Sequence, residues 1–305
     1  MILFDYRESA EFLKKCQVLD NSEIDGTVCP WELNRGDPPR EDLHDTLEAL
    51  YIWTRTENRA NSAFNIGRAL EYVARKFEWY KGENEPLKSY DSIYYSLALH
   101  SYLSYAKDDS LAEIEKYAES YLVEYFKSGP KHNVREYSNP YLKAGILALV
   151  LKDKGERTDF LRTWLERDLS LPDPAKEEEH KGRGYQYPHD FVSTFGTKLF
   201  AMNLISHGTD SSDLSLLIPS GFIHRSIDEI SYNSSLLFGL CTIDPTSFGN
   251  TDRVNGPISA ISNEIEKKFD GGGIKRGDYT RLRESWPTFF YYFAAILCRK
   301  LPLFD

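Results

Sequence analysis

The stretch "DLHDTLEALYIW", residues 42–53, decides how this chain is read. Asp42, His44 and Asp45 stand where a helix would begin, and Leu47, Leu50, Tyr51 and Trp53 follow at helical spacing. Asp and Asn are ordinary N-caps, because a side-chain oxygen can accept one of the unpaired amide protons of a first turn. A helix that opens on His-Asp and then turns apolar can also begin at a site. The stretch alone leaves both readings open.

Similar openings recur along the chain. "YDSIYYSLALHSYL" starts near Asp91, "SNPYLKAGILALVL" near Asn139, "HDFVSTFGTKLFAMNLI" at His189 and Asp190, "YNSSLLFGLCTI" near Asn233 and "ESWPTFFYYFAAIL" at Glu284. Counted from Asp45 through Asp91, Asn139, Asp190, Asn233 and Glu284, the spacings are 46, 48, 51, 43 and 51 residues. A period of that size fits two helices and their loops per repeat. The segments between differ in character. "SAFNIGRALEYVARKFEWY", "SLAEIEKYAESYLVEYF", "ERTDFLRTWLERDL" and "VNGPISAISNEIEKKF" each carry an apolar stripe and a charged face, the mark of amphipathic outer helices. The six marked segments are apolar or small on most sides, which suits helices packed all round.

This alternation predicts an all-α fold: one domain over residues 1–305, an (α/α)6 toroid (six-hairpin barrel) of about twelve helices and almost no sheet. The fourth outer segment, "SSDLSLLIPSGFIHRSIDEI", is the weakest, because Pro219 and Gly221 interrupt it. Polar, Pro-rich stretches at about 20–41 and 171–188 read as long loops. In such a toroid the inner helices run the same way, so their N-termini converge on one mouth. Asp45, Asp91, Asp190 and Glu284 would line it, edged by Trp31, Tyr90, Tyr137, Tyr187, Tyr279 and Trp286. Converging N-termini favour anionic groups on a ligand, such as a uronate carboxylate, with Lys275 and Arg276 to assist.

Composition narrows the field. A net charge of -10 argues against nucleic acid or an anionic membrane surface as main partner. No segment reaches the roughly 20 apolar residues of a membrane span, and the apolar run of "MILFDYRESAEFLKK" is too short for a signal peptide. The expectation is a cytoplasmic protein without membrane insertion. Cys16, Cys29, Cys241 and Cys298 show no CxxC spacing, so neither a zinc site nor a disulfide framework is indicated. Aromatic residues make up 14% of the chain, enough to serve both a core and sugar-stacking surfaces.

At this point the sequence resembles the glucoamylase and trehalase group, glycoside hydrolase family 15. "SSLLFGLCTIDPTSFGNTDRVNGPISAISNEI" is similar to that family's helix, Asp-Pro turn and outer helix. "GGGIKRGDYTRLRESWPTFFYYFAAIL" resembles its Gly-Gly-hydrophobic-Arg stretch, polar loop and Trp-led final helix. "HDTLEALYIW" resembles the family's Arg-Asp opening, with His44 in place of Arg, and "YDSIYYSLAL" its second inner helix. "VREYSNPYLKAGILAL" holds Glu136 where the family's general acid lies, although Arg135 precedes it instead of Trp; the one Trp-Glu pair is Trp31-Glu32. The family's N-terminal β-domain has no room here. In length the chain is also similar to small archaeal toroid proteins of N-glycosylation gene clusters, whose substrates include hexuronic-acid glycans.

The resemblance implies a glycoside hydrolase acting on an oligosaccharide. Two carboxyl groups flank the scissile bond in such enzymes, and an inverting pair stands roughly 6.5–9.5 Å apart. Glu136 is expected as acid and Glu284 as base, with Asp278 the rival base; Asp45 would hold sugar hydroxyls. Trp31, His44, Tyr90, Asp91, Tyr137, Tyr187, His189, Asp190, Arg276, Tyr279 and Trp286 complete the expected substrate site. No cofactor and no metal is expected. The alternative is a non-catalytic sugar-binding or scaffold toroid in glycan assembly. His44-Asp45 and His189-Asp190 also suggest a metal-dependent phosphohydrolase, but His100, His132, His180, His207 and His224 do not supply the further ligands. A terpenoid cyclase would need a DxDD run that is missing. "GGG" at 271–273 lacks a following GK[ST] and reads as a turn after an outer helix ending at Phe269.

Overall fold

The computed structural model describes residues 6–33, 38–55, 64–82, 89–106, 109–128, 140–167, 188–205, 230–243, 252–267, 269–270, 273–275 and 283–299. These residues are mostly helical. In chain order the helices are α1 (Tyr6–Cys16), α2 (Leu43–Arg55), α3 (Ile66–Gly82), α4 (Ser89–Ala106), α5 (Ala112–Ser128), α6 (Pro140–Asp153), α7 (Asp159–Leu165), α8 (Pro188–Ile205), α9 (Ile230–Cys241), α10 (Asp252–Glu266) and α11 (Ser285–Arg299). Among the described residues no helix is long and apolar enough to cross a membrane. The six stretches expected as inner helices form α2, α4, α6, α8, α9 and α11. Those expected as outer helices form α3, α5, α7 and α10. Residues 211–229, the interrupted outer segment, lie outside the described residues.

Burial follows the pattern of side chains. From Leu43 to Thr54, helix α2 buries every residue but His44, and α6 is buried from Tyr141 to Leu151. By contrast α3 buries only Ala69, Tyr72, Val73 and Phe77, one stripe at i, i+3, i+4 and i+8. The residues group into two compact units, each described in turn.

One unit holds residues 3–122 and 268–292. In it α2 and α4 lie side by side and run parallel. His44 meets Tyr94 near their starts, at a ring separation of 6.0 Å, and Thr54 Oγ1 lies 2.7 Å from Ser101 Oγ a few turns later. Phe289 of α11 packs edge-on against Tyr51 at 5.8 Å and Tyr94 at 5.6 Å. On the outer side Phe77 packs against Tyr95 and Tyr117, and a buried His100–Glu115 pair at 3.5 Å ties α4 to α5. Helix α1 is an addition to the sequence reading; Phe12, Leu13 and Cys16 are its buried stripe, and Lys14 and Lys15 suit its C-terminal turn.

The other unit holds residues 123–267 and 293–301. Helices α6, α8 and α9 run parallel in a row. Along α6 and α8 the meeting points advance together: the Lys198 ammonium lies 4.9 Å from the Tyr141 ring, a Cβ on Gly145 would touch Phe200, and Lys152 Nζ donates to the Leu204 carbonyl. Between α8 and α9, Gly196 meets Ser235, and Asn203 donates to the Gly239 carbonyl at 3.1 Å and to Thr242 Oγ1 at 3.2 Å. Phe200, Phe238 and Phe293 form the aromatic centre. Lys143 and Lys198 are buried here, their ammonium groups over the rings of Tyr125 and Tyr141.

Three details depart from expectation. The region expected as a turn after a helix is a small antiparallel sheet in the order β1 (Phe269–Asp270), β2 (Gly273–Lys275), β3 (Arg283–Glu284). Helix α10 ends at Glu266 and Phe269 starts a strand, with β1 and β2 in register Phe269↔Ile274 and Asp270↔Gly273; of "GGG", Gly273 is in β2 and Gly271 and Gly272 lie outside the described residues. Glycine is required at 273 because a Cβ there would sit 2.6 Å from the Phe12 ring. The second departure follows: Glu284 pairs with Ile274 as the last residue of β3, immediately before α11 rather than in its first turn. Third, Cys241 is disulfide-bonded, while Cys16 and Cys29 are free and buried.

Candidate functional site

The site forms where the chain enters α2. Residues 25–30 are buried against it, Gln17 bridging to Val28 in a single antiparallel contact. Thr27 Oγ1 accepts the Asp42 amide at 3.2 Å, and Thr46 Oγ1 accepts the Val28 amide at 2.9 Å. These bonds fix Asp42 as the residue before the helix. Its Oδ1 accepts the Asp45 amide at 3.3 Å, so Asp42 is the N-cap. The capping role expected of Asp45 is thus taken three residues earlier, which leaves the Asp45 carboxyl for another use.

His44 lies between the two acids. Its Nδ1 is 2.6 Å from Asp42 Oδ1 and its Nε2 is 3.0 Å from Asp45 Oδ1. A neutral imidazole carries one N–H and can satisfy only one of these contacts. A protonated imidazole donates to both oxygens, and it is the charge of that form that acts on the neighbouring carboxyls. The His44 side chain is 25% exposed, against 7% for Asp42 and 1% for Asp45, so the imidazole is the cluster's face to solvent. Burial pushes the Asp42 carboxyl up, but the His44 hydrogen bond and charge, the Asp45 amide and Arg40 together hold it below the ordinary value.

Glu48, one turn further, is 1% exposed, and neither of its oxygens accepts a hydrogen bond of normal geometry. Burial raises its pKa well above the ordinary carboxyl value; His44 opposes the rise, Asp45 and Asp42 add to it, and the nearby Tyr94 hydroxyl opposes it weakly. Two carboxyl groups therefore flank one imidazole at the start of an apolar helix, and the buried Glu48 follows one turn later. Oxygen or nitrogen atoms of Asp42, His44 and Asp45, one from each, all lie within 4.8 Å of one another, a separation that suits a metal ion.

A cation and two further side chains frame the cluster. Arg40 reaches Asp42 Oδ2 at 3.3 Å and lies over the Trp31 ring at 5.9 Å. Cys29 holds the Arg40 backbone: Sγ accepts its amide at 3.3 Å and donates to its carbonyl at 3.1 Å. Burial pushes the Cys29 thiol up, so it stays protonated and serves as a clamp.

Of the residues expected at a substrate site, Trp31, His44 and Asp45 lie in one neighbourhood with Asp42, Arg40, Cys29 and Tyr94, and Glu48 follows on α2. Asp91 is buried in the first turn of α4 with the Tyr80 hydroxyl 3.5 Å away. Tyr90, His189, Asp190 and Trp286 fall in the first turns of α4, α8 and α11, and Glu284 ends β3; their side chains are outside the described set. Glu136, Tyr137, Tyr187, Arg276, Asp278 and Tyr279 lie outside the described residues. The signal that could have found Glu48 is its place: a lone acid inside an apolar run, four residues after a histidine.

A stability test follows from Glu48. Because its folded pKa is raised, its contribution is fully favourable below the unfolded value and is lost as pH rises through the folded one. Asp42 acts in the opposite direction, losing its contribution only as pH falls below the ordinary carboxyl range. Urea unfolding in chelator-treated buffer should show wild type weaker at pH 8 than at pH 5. Glu48→Gln should flatten that slope. An unchanged slope would mean that Glu48 is not the group responsible.

Comparison with known proteins gives no match: no family model, no curated protein and no solved structure is similar to this chain.

Proposed function

We propose that the chain is a carbohydrate-processing enzyme: an (α/α)6 toroid of the glycoside hydrolase type that cleaves an oligosaccharide, uronic-acid glycans included, by inversion. The observation that carries this reading is the parallel packing of α2 on α4 with buried acids, Asp45 and Asp91, in both first turns. Inner helices of a toroid must run parallel, and a polar mouth needs acids at their starts. The parallel row α6, α8 and α9 supports the same architecture, as do six nearly apolar helices alternating with striped ones. In this reading Glu136 is the general acid and Glu284 the base, with Asp278 as the rival. Trp31, His44 and Asp45 belong to the sugar-binding wall. The half-exposed His44 offers a hydrogen-bonding edge, and the Trp31 ring a stacking face. The partner is a glycan, with no role for nucleic acid, and the location is cytoplasmic.

The test is a screen of wild type, Glu136→Gln and Glu284→Gln against α- and β-linked glucosides, trehalose and uronic-acid glycans, with the product anomer read by NMR. General acid–base steps contribute about 10²–10⁴-fold, and each variant should lose turnover on that scale while still binding sugar. Full activity in Glu284→Gln would move the base to Asp278. Binding without turnover on every substrate would make the chain a sugar-binding toroid of glycan assembly, and neither binding nor turnover would end the carbohydrate reading.

A further inference from the structure

We propose that Cys16 and Cys29 are a redox-responsive pair: a small disulfide such as oxidised glutathione converts the two thiols into an intramolecular disulfide, a small thiol reverses it, and closure releases the backbone of Arg40. This goes beyond the carbohydrate reading and does not depend on it. The first support is register. Gln17 and Val28 bridge in the antiparallel sense, and the bonds on either side complete the ladder. Val18 N donates to the Thr27 carbonyl at 2.9 Å, and Cys29 N donates to the Cys16 carbonyl at 2.8 Å. Cys16 and Cys29 are therefore direct opposites. Residues paired at a hydrogen-bonded position have Cα atoms about 5.5 Å apart, inside the roughly 4.4–6.8 Å that a disulfide spans. Both residues are thiols and both are buried.

The second support is that both side chains project to one side. Side chains alternate along an extended segment, and residues directly opposite share a face. Thr27 turns its hydroxyl to Thr46 of α2, 3.2 Å away. Cys29, two residues on, faces the same way, and its Sγ meets the Arg40 backbone just before that helix. Gln17 turns the other way, its Nε2 donating to the Asn65 carbonyl at 2.8 Å. Cys16, beside Gln17 and opposite Cys29, thus shares the α2 side.

Closure disturbs a second contact. Opposite Cβ atoms stand about 4.5–5.5 Å apart in such a ladder, whereas a disulfide holds them at about 3.5–4.5 Å. Cys29 must move toward Cys16, and its Sγ must turn away from Arg40. The Arg40 amide and carbonyl, at 3.3 and 3.1 Å from that sulfur, then lose it as a partner. The Arg40 guanidinium reaches Asp42 and lies over Trp31, so the state of the pair is passed to the entrance of α2. In the exchange, one cysteine as its thiolate attacks a sulfur of the small disulfide and releases one small thiol; the second cysteine attacks the mixed disulfide and releases the other. The two small thiols carry off both electrons and both protons. Burial keeps Cys29 protonated and makes the exchange slow; it proceeds when the exposed tip at residues 19–23 lifts the contact open.

The experiment holds the full chain in glutathione buffers of rising oxidised fraction, quenches with acid and labels the remaining thiols with a maleimide. Trypsin then releases residues 16–35 as one peptide, because Lys15 and Arg35 flank it and no Lys or Arg lies between. The expected result is a peptide that takes no label and is lighter by two hydrogens, replaced by the doubly labelled form after reduction. Amide hydrogen exchange gives the second readout: the Arg40 amide should lose protection in oxidised wild type and keep it in reduced wild type. Cys16→Ala should keep Arg40 protected in every buffer, and Cys29→Ala should leave it unprotected in every buffer. That contrast separates a redox response from a loss of packing, and circular dichroism checks that each variant folds. A folded wild type whose 16–35 peptide stays doubly labelled throughout, or carries only glutathione adducts, or closes with Arg40 still protected, would overturn the proposal. None of these outcomes depends on glycoside turnover.

Discussion

Gly26→Ala is expected to lower stability by about 3 kcal/mol or more, the sum of a strained backbone and a steric collision that each cost about 1–3 kcal/mol. Gly26 has φ +92, a conformation that L side chains rarely adopt. An added Cβ would lie 2.0 Å from the Arg68 carbonyl oxygen and 2.6 Å from its carbon, both backbone atoms of α3. The glycine cannot retreat, because its amide donates to the Val18 carbonyl at 2.9 Å. Segment 25–30 would have to leave α3, and Thr27 would release Asp42. The loss should therefore reach the His44 cluster, some distance from the substitution. Thermal and urea unfolding measure the first effect, and the pH dependence of urea unfolding the second. Gly67→Ala on exposed α3 is the control, with only Asn65 Oδ1 at 3.7 Å, and it should be neutral or slightly stabilising. Equal behaviour of the two variants would sink the prediction.

Gly196→Ala should be nearly as costly, by overpacking alone at about 1–3 kcal/mol or above. Its Cβ would stand 2.2 Å from the Ser235 carbonyl oxygen, 2.4 Å from its carbon and 2.6 Å from the Leu236 nitrogen. These are backbone atoms of α9, so no rotamer change relieves them and the helices must separate. Gly239 faces the same seam, its Cβ falling 2.8 Å from the Gly196 carbonyl oxygen. Once one alanine has forced the helices apart, the second meets less resistance. The double variant should lose clearly less stability than the sum of the singles, the signature of two residues sharing one contact. Strict additivity in urea unfolding would show that the two glycines act separately.

Sequence periodicity was a good guide to the helices and a poor one to the site. The six apolar segments were legible because packing on every side demands apolar residues on every side, and α2 and α6 are buried nearly throughout. Helix α1 escaped notice because its stripe of Phe12, Leu13 and Cys16 is short and sits among charges. The strand at Gly273 escaped because a glycine looks the same in a turn as in a strand pressed on Phe12. At the site, His44 and Asp45 stood out as a polar pair before an apolar run, and Trp31 as an aromatic in a polar loop. That Asp42 and not Asp45 caps the helix depends on a one-turn shift in where the helix begins, fixed by Thr27 from a separate segment. Glu48 reads as a stray charge until burial is known, and the Cys29–Arg40–Trp31 chain joins loop residues that no period connects.

The parallel packing of alternate helices has a kinetic consequence. His44 meets Tyr94, and Gly196 meets Ser235, across roughly forty to fifty intervening residues. A helix cannot find its parallel neighbour by folding back through a short turn; a long intervening stretch of chain must be traversed first. Loop closure on that scale precedes the contacts that reward it, so folding of this all-helical chain should resemble that of a mixed α/β domain in rate more than that of an up-and-down bundle. The seam between α8 and α9 has no slack for a side chain, so it can close only late, after both backbones are already straight.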